Sequence, residues 1–230
     1  MSERVWADVD AYVERHLIED DPVLERALRD SAAAGLPTIA VTPAQGKLLW
    51  LLARIHGARR ILELGTLGGY STIWLARALA GQGSLVTLEL KAEYAAVAST
   101  NLERAGLRGR VEIMVGPALA SLQELVAASG EPFDMVFVDA DKESTPLYMP
   151  LILELVAPGA LIVVDNVVRA GALADPGTES AHVRGMQRLH EMLAADPSVS
   201  ATTIQTVGAK GYDGFTILLV EDDAGGAAGR

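Results

Sequence analysis

The chain has 230 residues, half of them apolar, enough to bury a sizeable core as one α/β domain or two small ones and too apolar for a disordered chain. Nineteen Lys and Arg against 30 Asp and Glu leave a net charge of −11, so the chain as a whole repels a phosphate backbone and an anionic lipid surface, and neither nucleic acid nor a membrane is an expected partner. The absence of cysteine removes thiol nucleophiles, thiolate metal sites and disulfides, and fits a reducing compartment.

The start, MSERVWADVD, carries acids early and lacks the basic-then-apolar order of a secretory signal. No apolar run approaches the roughly 18 residues of a membrane span, so a cytoplasmic protein is expected. From Glu3 onward, Val5, Val9, Val13 and Leu17 recur every four residues and predict a helix. Asp21 and Pro22 supply an N-cap and first helical position for a second helix over Val23 to Ala34. Thr42 and Pro43 repeat that signal for a third, running through Leu48, Leu49, Leu51, Leu52 and Ile55 to Gly57. Residues 1–36 thus read as N-terminal helices, 37–221 as a catalytic α/β core, and 222–230, rich in Gly and Ala, as a frayed tail.

In the core, short apolar runs alternate with helix-length segments. The runs are Arg60 to Leu64, Ser84 to Leu90, Val111 to Val115, Phe133 to Val138, Ala160 to Val164, Ala201 to Val207 and Phe215 to Val220. Helical stretches are expected near residues 70–80, 91–105, 117–128, 145–156 and 180–195. Short strands, apolar on both faces and separated by helices, predict a doubly wound α/β domain with a parallel sheet covered on both sides. Only the Gly-rich loop Gly208 to Gly214 separates the last two runs, which predicts an antiparallel hairpin.

Ligands of an open parallel sheet bind beyond the carboxyl ends of its strands. After the first run comes Glu63-Leu-Gly-Thr-Leu-Gly-Gly-Tyr-Ser, in which Gly65, Gly68 and Gly69 allow a tight turn into a helix start with free backbone N–H groups. The spacing is neither G-x-G-x-x-G nor a P-loop, which disfavours a dinucleotide pyrophosphate. Glu89 ends the second run, where an acid can accept both hydroxyls of a ribose; the alternative is a solvated strand-end carboxylate. Asp139 ends the fourth run and Asp165-Asn166 the fifth. On neighbouring strands about 4.8 Å apart the two carboxylates would repel, and a divalent cation such as Mg²⁺, bound by these oxygens and the Asn carbonyl, would remove the repulsion. Otherwise one Asp caps a helix and the other holds loop backbone. Lys142, three residues past Asp139, reads either as a desolvated general base or as a salt-bridge partner of Asp141 or Glu143.

These stretches, together with Thr42-Pro-Ala-Gln-Gly-Lys-Leu-Leu, Gly116-Pro-Ala-Leu, Val136-Phe-Val-Asp-Ala-Asp-Lys and Val164-Asp-Asn-Val, resemble the cation-dependent, S-adenosylmethionine-dependent O-methyltransferases, among them catechol and caffeoyl-CoA O-methyltransferases and especially their small bacterial members. The match runs from about Pro37 to Val220 in the family's order. The resemblance implies a mainly parallel seven-stranded sheet with an antiparallel last strand. It places the cofactor's methionine end and backbone contacts at Val41, Glu63, Gly65, Thr66 and Ser71, with Asp139 also beside the cofactor, the ribose on Glu89 and the adenine near Ala118. It puts Mg²⁺, or Mn²⁺ or Ca²⁺, on Asp139, Asp165 and Asn166, and makes Lys142 the general base, with Asp139 beside it in the catalytic set. The implied acceptor is a small phenol with neighbouring hydroxyls, and the implied assembly a homodimer.

Arg169 stands where relatives often carry an aromatic residue, and reads as a group that stacks on or pairs with an acidic acceptor, or as a surface arginine. Lys210 and Tyr212, in a loop longer than that of many relatives, are expected on the pocket rim, and no acid matches the late substrate-binding glutamate near Val207. His16, His56, His182 and His190 lack metal-ligand spacing and read as structural or exposed; Trp50 and Trp74 read as core, and Trp6 as part of a helix covering the acceptor site or a second subunit. An NAD-linked oxidoreductase and a non-catalytic cofactor-binding module are the competing functions.

Overall fold

The computed structural model describes residues 3–222. The tail reading, Asp222 apart, lies outside the described residues.

Three helices open the chain: α1 (Glu3–Leu17), α2 (Pro22–Ala33) and α3 (Pro43–His56). The Asp21 carboxylate caps α2 by accepting from the N–H groups of Val23 and Leu24 at 2.9 and 3.1 Å, with Pro22 following. Thr42 caps α3 by accepting from the Gln45 N–H at 3.1 Å, and Gly57 ends it in the left-handed region at φ 76°. The first helix is present as expected, with its apolar repeat largely at the surface. None of its residues is buried, and Val5, Val9 and Leu17 are 43%, 55% and 69% exposed. A four-residue repeat slips about 40° per step around a helix of 3.6 residues per turn, so these side chains cannot all stay on one side.

Seven strands form one sheet among the described residues: β1 (Arg60–Leu64), β2 (Ser84–Glu89), β3 (Val111–Val115), β4 (Phe133–Val138), β5 (Val156–Asp165), β6 (Val199–Gly208) and β7 (Gly211–Val220), in the order β3-β2-β1-β4-β5-β7-β6. Strands β1 to β5 pair in parallel, and β7 runs antiparallel to both β5 and β6. The expected doubly wound, mainly parallel sheet is therefore present. The largest boundary shifts fall on β5 and on the hairpin. Strand β5 begins at Val156, before the apolar run, and most of the expected loop is strand, because Gly208 pairs with Gly211 and leaves Ala209 and Lys210 as a two-residue turn. The expectation of two covered faces, which concerned the parallel strands, fails at the edge strand β3, none of whose residues is buried and where Val115 is 53% exposed.

The remaining helices, α4 (Tyr70–Ala78), α5 (Ala92–Arg104), α6 (Ala118–Ala128), α7 (Thr145–Leu155) and α8 (Ala181–Ala195), cover the sheet. Alternate side chains of the central strands enter opposite layers. Leu62, Leu64, Val136, Val138 and Ile162 pack with Leu122, Met149 and Met186 on one side, while Ile61, Met135 and Phe137 pack with Leu49, Ile73 and Trp74 on the other. Each fully buried aliphatic side chain contributes about 1.5–3 kcal/mol. This rigid double layer fixes where the strands end, and hence where their last side chains stand. Among the described residues, no helix is long and apolar enough to cross a membrane.

Candidate active site

The turn from β1 into α4 needs glycine for reasons of contact as well as conformation. Gly65 has φ 99°, and a Cβ there would fall on the backbone carbonyl of Asp139, so the tips of β1 and β4 meet only because the side chain is missing. A Cβ on Gly68 would strike the Ser31 hydroxyl. Helix α4 begins at Gly69 with no side-chain cap, leaving N–H groups at its start available to an anionic ligand.

Two acids flank this turn. The side chain of Glu63 is fully buried and accepts from the hydroxyls of Ser71 at 2.7 Å, Thr72 at 2.5 Å and Thr87 at 2.8 Å. Burial pushes its pKa up to about 7 against the pull of those three donors, and the nearby Asp139 charge adds to the rise. Thr66 joins the same network through its hydroxyl, 2.6 Å from that of Thr87. Glu89, at the tip of β2, accepts from the N–H of Leu67 at 2.8 Å and of Lys91 at 3.0 Å, one on each oxygen. It is therefore a fixed carboxylate rather than a solvated one, and each oxygen keeps a lone pair for a further donor.

Asp139 follows β4 and Asp165 ends the neighbouring β5, as expected. Lys142 sends its ammonium to Asp139 Oδ1 at 3.0 Å, not to Asp141 or Glu143. Asp141 instead accepts from the Ser144 N–H at 2.8 Å and the Tyr148 hydroxyl at 2.5 Å. A Cβ on Gly185 of α8 would collide with the Lys142 carbonyl, so α8 backs this loop directly. Asp165 is buried, and both its oxygens are engaged: Oδ1 accepts from the Asn166 N–H at 2.8 Å and Oδ2 from the Gln45 side-chain amide at 2.6 Å. Its pKa rises to about 6, first from burial and then from the Asp139 charge, with Lys142 opposing. Asn166 itself adopts φ 53°.

Beyond these tips lie β7 and the irregular segment Arg169–Ala174. Asp213 Oδ1 accepts from the N–H groups of Val168 at 3.0 Å, Arg169 at 2.9 Å and Gly214 at 2.9 Å. This clamp holds Arg169 and Ala170 in the left-handed region, each at φ 55°. Lys210, in the two-residue turn, donates to the Ala40 carbonyl, next to Val41. Partial burial lowers its pKa, and the charges of Asp139 and Asp165 oppose the shift. Tyr212 donates to Gln205, and its ring lies against Gly171.

The structure thus brings Glu63, Gly65, Thr66, Ser71 and Glu89 together at the β1 and β2 tips, and Asp139, Lys142, Asp165 and Asn166 at the β4 and β5 tips. Val41 is buried just before the α3 cap, and Ala118 opens α6 after β3. Among the described residues, no three His, Cys, Asp or Glu side chains converge as a metal cluster. The donor set nevertheless fits a hard cation: two carboxylates and an amide oxygen on adjacent tips, with one carboxylate's proton affinity raised by the other's charge. Sequence reasoning did not single out Thr87, Gln45 or Asp213. A threonine inside the apolar run Leu85 to Leu88 and registered against Glu63 was a legible signal for the first.

Comparison with known proteins agrees with this geometry. The O-methyltransferase family profile matches residues 14–219. A catechol O-methyltransferase of Mycobacterium tuberculosis is 51% identical over 213 residues, 93% of this chain and 95% of its own. One from Niastella koreensis is 46% identical over 221 residues, 96% of this chain and all of its own. Among solved structures, an O-methyltransferase from Bacillus cereus in complex with SAH superposes with a TM-score of 0.94 at 50% identity, covering 96% of this chain and 100% of that one. TomG from Streptomyces achromogenes, an O-methyltransferase in complex with SAM and involved in tomaymycin synthesis, gives 0.93 at 50% identity over the same shares. A doubly wound α/β enzyme is therefore the class, and the chain belongs to the O-methyltransferase family.

Proposed function

We propose that this protein transfers a methyl group from S-adenosylmethionine to one hydroxyl of a small aromatic that carries two neighbouring hydroxyls. The observation that carries this reading is the meeting of Asp139 and Asp165 on adjacent strand tips with the buried Lys142 ammonium 3.0 Å from Asp139. Relatives about half identical over nearly the whole chain carry the name catechol O-methyltransferase, which supports the acceptor class.

In this reading Ser71 and the free N–H groups at the α4 start hold the amino-acid end of the cofactor, the buried Glu63 carboxyl fixes the Ser71 hydroxyl from behind, and Glu89 accepts from the ribose hydroxyls. Gly65 and Thr66 let the backbone run close beside it, Val41 closes one side, and Ala118 lies against the adenine. Asp139, Asp165 and Asn166 would hold a divalent cation. Bound there, it would lower the pKa of the acceptor hydroxyls and fix two adjacent oxygens relative to the methyl group.

Lys142, in its neutral form, takes the proton of the attacking hydroxyl at Nζ. The acceptor oxygen forms the new C–O bond as the C–S bond breaks, leaving a neutral thioether, a methyl ether and the Lys142 ammonium, so charge and protons balance. Buried Val41, Tyr70 and Val167 near these tips exclude water that would compete for the methyl group.

The test is direct. Purified protein with S-adenosylmethionine and a panel of phenols should add 14 mass units only to acceptors with neighbouring hydroxyls, an increment about equal to one CH₂. Methylation of isolated phenols at the same rate would refute the acceptor class.

A further inference from the structure

Gln45 has no part in the reading above, yet its side-chain amide reaches Asp165 across 120 residues of sequence, with Nε2 2.6 Å from Oδ2. We propose that Gln45 is a positioning residue: it locks the Asp165 carboxylate in the rotation that presents it to a cation shared with Asp139. The inference rests on the cation reading of the site.

Three features argue for it. First, the Asn166 N–H holds Oδ1 at 2.8 Å, so the Gln45 bond to Oδ2 completes a two-point grip that fixes the plane of the carboxylate. Second, Gln45 starts from a rigid base. Its own N–H is held by the Thr42 cap, and the adjoining Gly46 packs so closely on the Trp74 ring that a Cβ would overlap it, so α3 cannot slide. Third, the donor is neutral. An amide satisfies Asp165 without cancelling its charge, so the carboxylate keeps the negative charge that a cation needs. Partners that orient a metal ligand in this way are typically worth about 10–100-fold in metal affinity.

The experiment measures Mn²⁺ binding by electron paramagnetic resonance, without acceptor, in the wild type, Gln45→Met and Gln45→Ala. Binding of S-adenosylhomocysteine is followed in parallel by calorimetry. Met keeps the length of the side chain and loses only the donor. Both variants are expected to bind Mn²⁺ about 10–100-fold more weakly while S-adenosylhomocysteine affinity stays within about threefold. Activity should return towards the wild-type kcat when Mn²⁺ is raised. Unchanged Mn²⁺ affinity in Gln45→Met overturns the proposal, and tighter binding does so too, because the amide would then be a competitor for Oδ2. Loss of S-adenosylhomocysteine binding together with Mn²⁺ also overturns it, since the residue would then merely support α3. A wild type that binds S-adenosylhomocysteine but no Mn²⁺ refutes the cation reading itself.

Discussion

Lys142 Nζ lies 3.0 Å from Asp139 Oδ1, and the two side chains are unequally exposed, at 7% for the lysine and 25% for the aspartate. The ammonium is thus enclosed by protein while the carboxylate keeps an open side towards the strand tips. Such an amine, with one of its three protons engaged, is placed to exchange a proton with a ligand seated beside Asp139.

Replacing Lys142 by Met keeps the bulk and removes the amine. Turnover of a catechol is expected to fall about 10²–10⁴-fold, the usual contribution of a positioned acid or base, while S-adenosylhomocysteine binding changes little. Steady-state kinetics with calorimetry checks both halves. A variant that keeps a tenth or more of the wild-type kcat would remove Lys142 from the chemistry.

Glu63 makes stability depend on pH. Its pKa rises from 4.5 to about 7 in the folded chain, so between those values the folded state holds a proton that the unfolded state has lost. Stability from this group is therefore fully present below about pH 4.5 and is lost as pH rises to about 7, by at most roughly 3 kcal/mol. Thermal midpoints of Glu63→Gln, measured from pH 5 to 8, should show a flatter decline than those of the wild type. An equal slope in the two proteins would contradict the assignment.

At Gly65 the left-handed backbone and the nearby Asp139 carbonyl act together. Gly65→Ala is expected to cost about 2 kcal/mol or more, from the positive φ and the forced separation of the two strand tips. Cofactor affinity should fall with it. Denaturant titration and calorimetry measure the two effects, and a variant of wild-type stability would show that the tips part freely.

Asp213 accepts from three backbone N–H groups. Asp213→Ala leaves those donors unpaired and releases a segment held in left-handed conformations, at a cost of about 1–3 kcal/mol. Because that segment carries Arg169 and adjoins Asn166, KM for the acceptor should rise more than the Kd for S-adenosylhomocysteine. Equal rises in both would place the effect elsewhere.

Much of this was legible from local chemistry. Strands β1, β3 and β4 match the apolar runs to the residue, because each is short, apolar and closed by Gly or Asp. Asp21 and Thr42 identify their helix starts because capping is a contact within three residues. The pairing of Asp139 with Asp165 followed from strand adjacency alone. What could not be read was tertiary in origin. Thr42-x-x-Gln45 has the form of a capping box, in which Gln45 would bend back to its own helix start, but the fold offers it Asp165 instead. Lys142 ignores its neighbours Asp141 and Glu143 for Asp139, a choice set by burial. The α1 repeat predicted the helix, yet only the rest of the molecule decides what its apolar side chains pack against.

The most direct test of the central claim compares methyl transfer from S-adenosylmethionine to a catechol by the wild type and by Asp165→Ala, each with Mg²⁺ and with excess EDTA. Turnover by the wild type is expected to collapse on chelation and to return with added Mg²⁺. Asp165→Ala should stay at least about 10²-fold slower in every condition while still binding S-adenosylhomocysteine. Full activity of the wild type in EDTA would contradict the account.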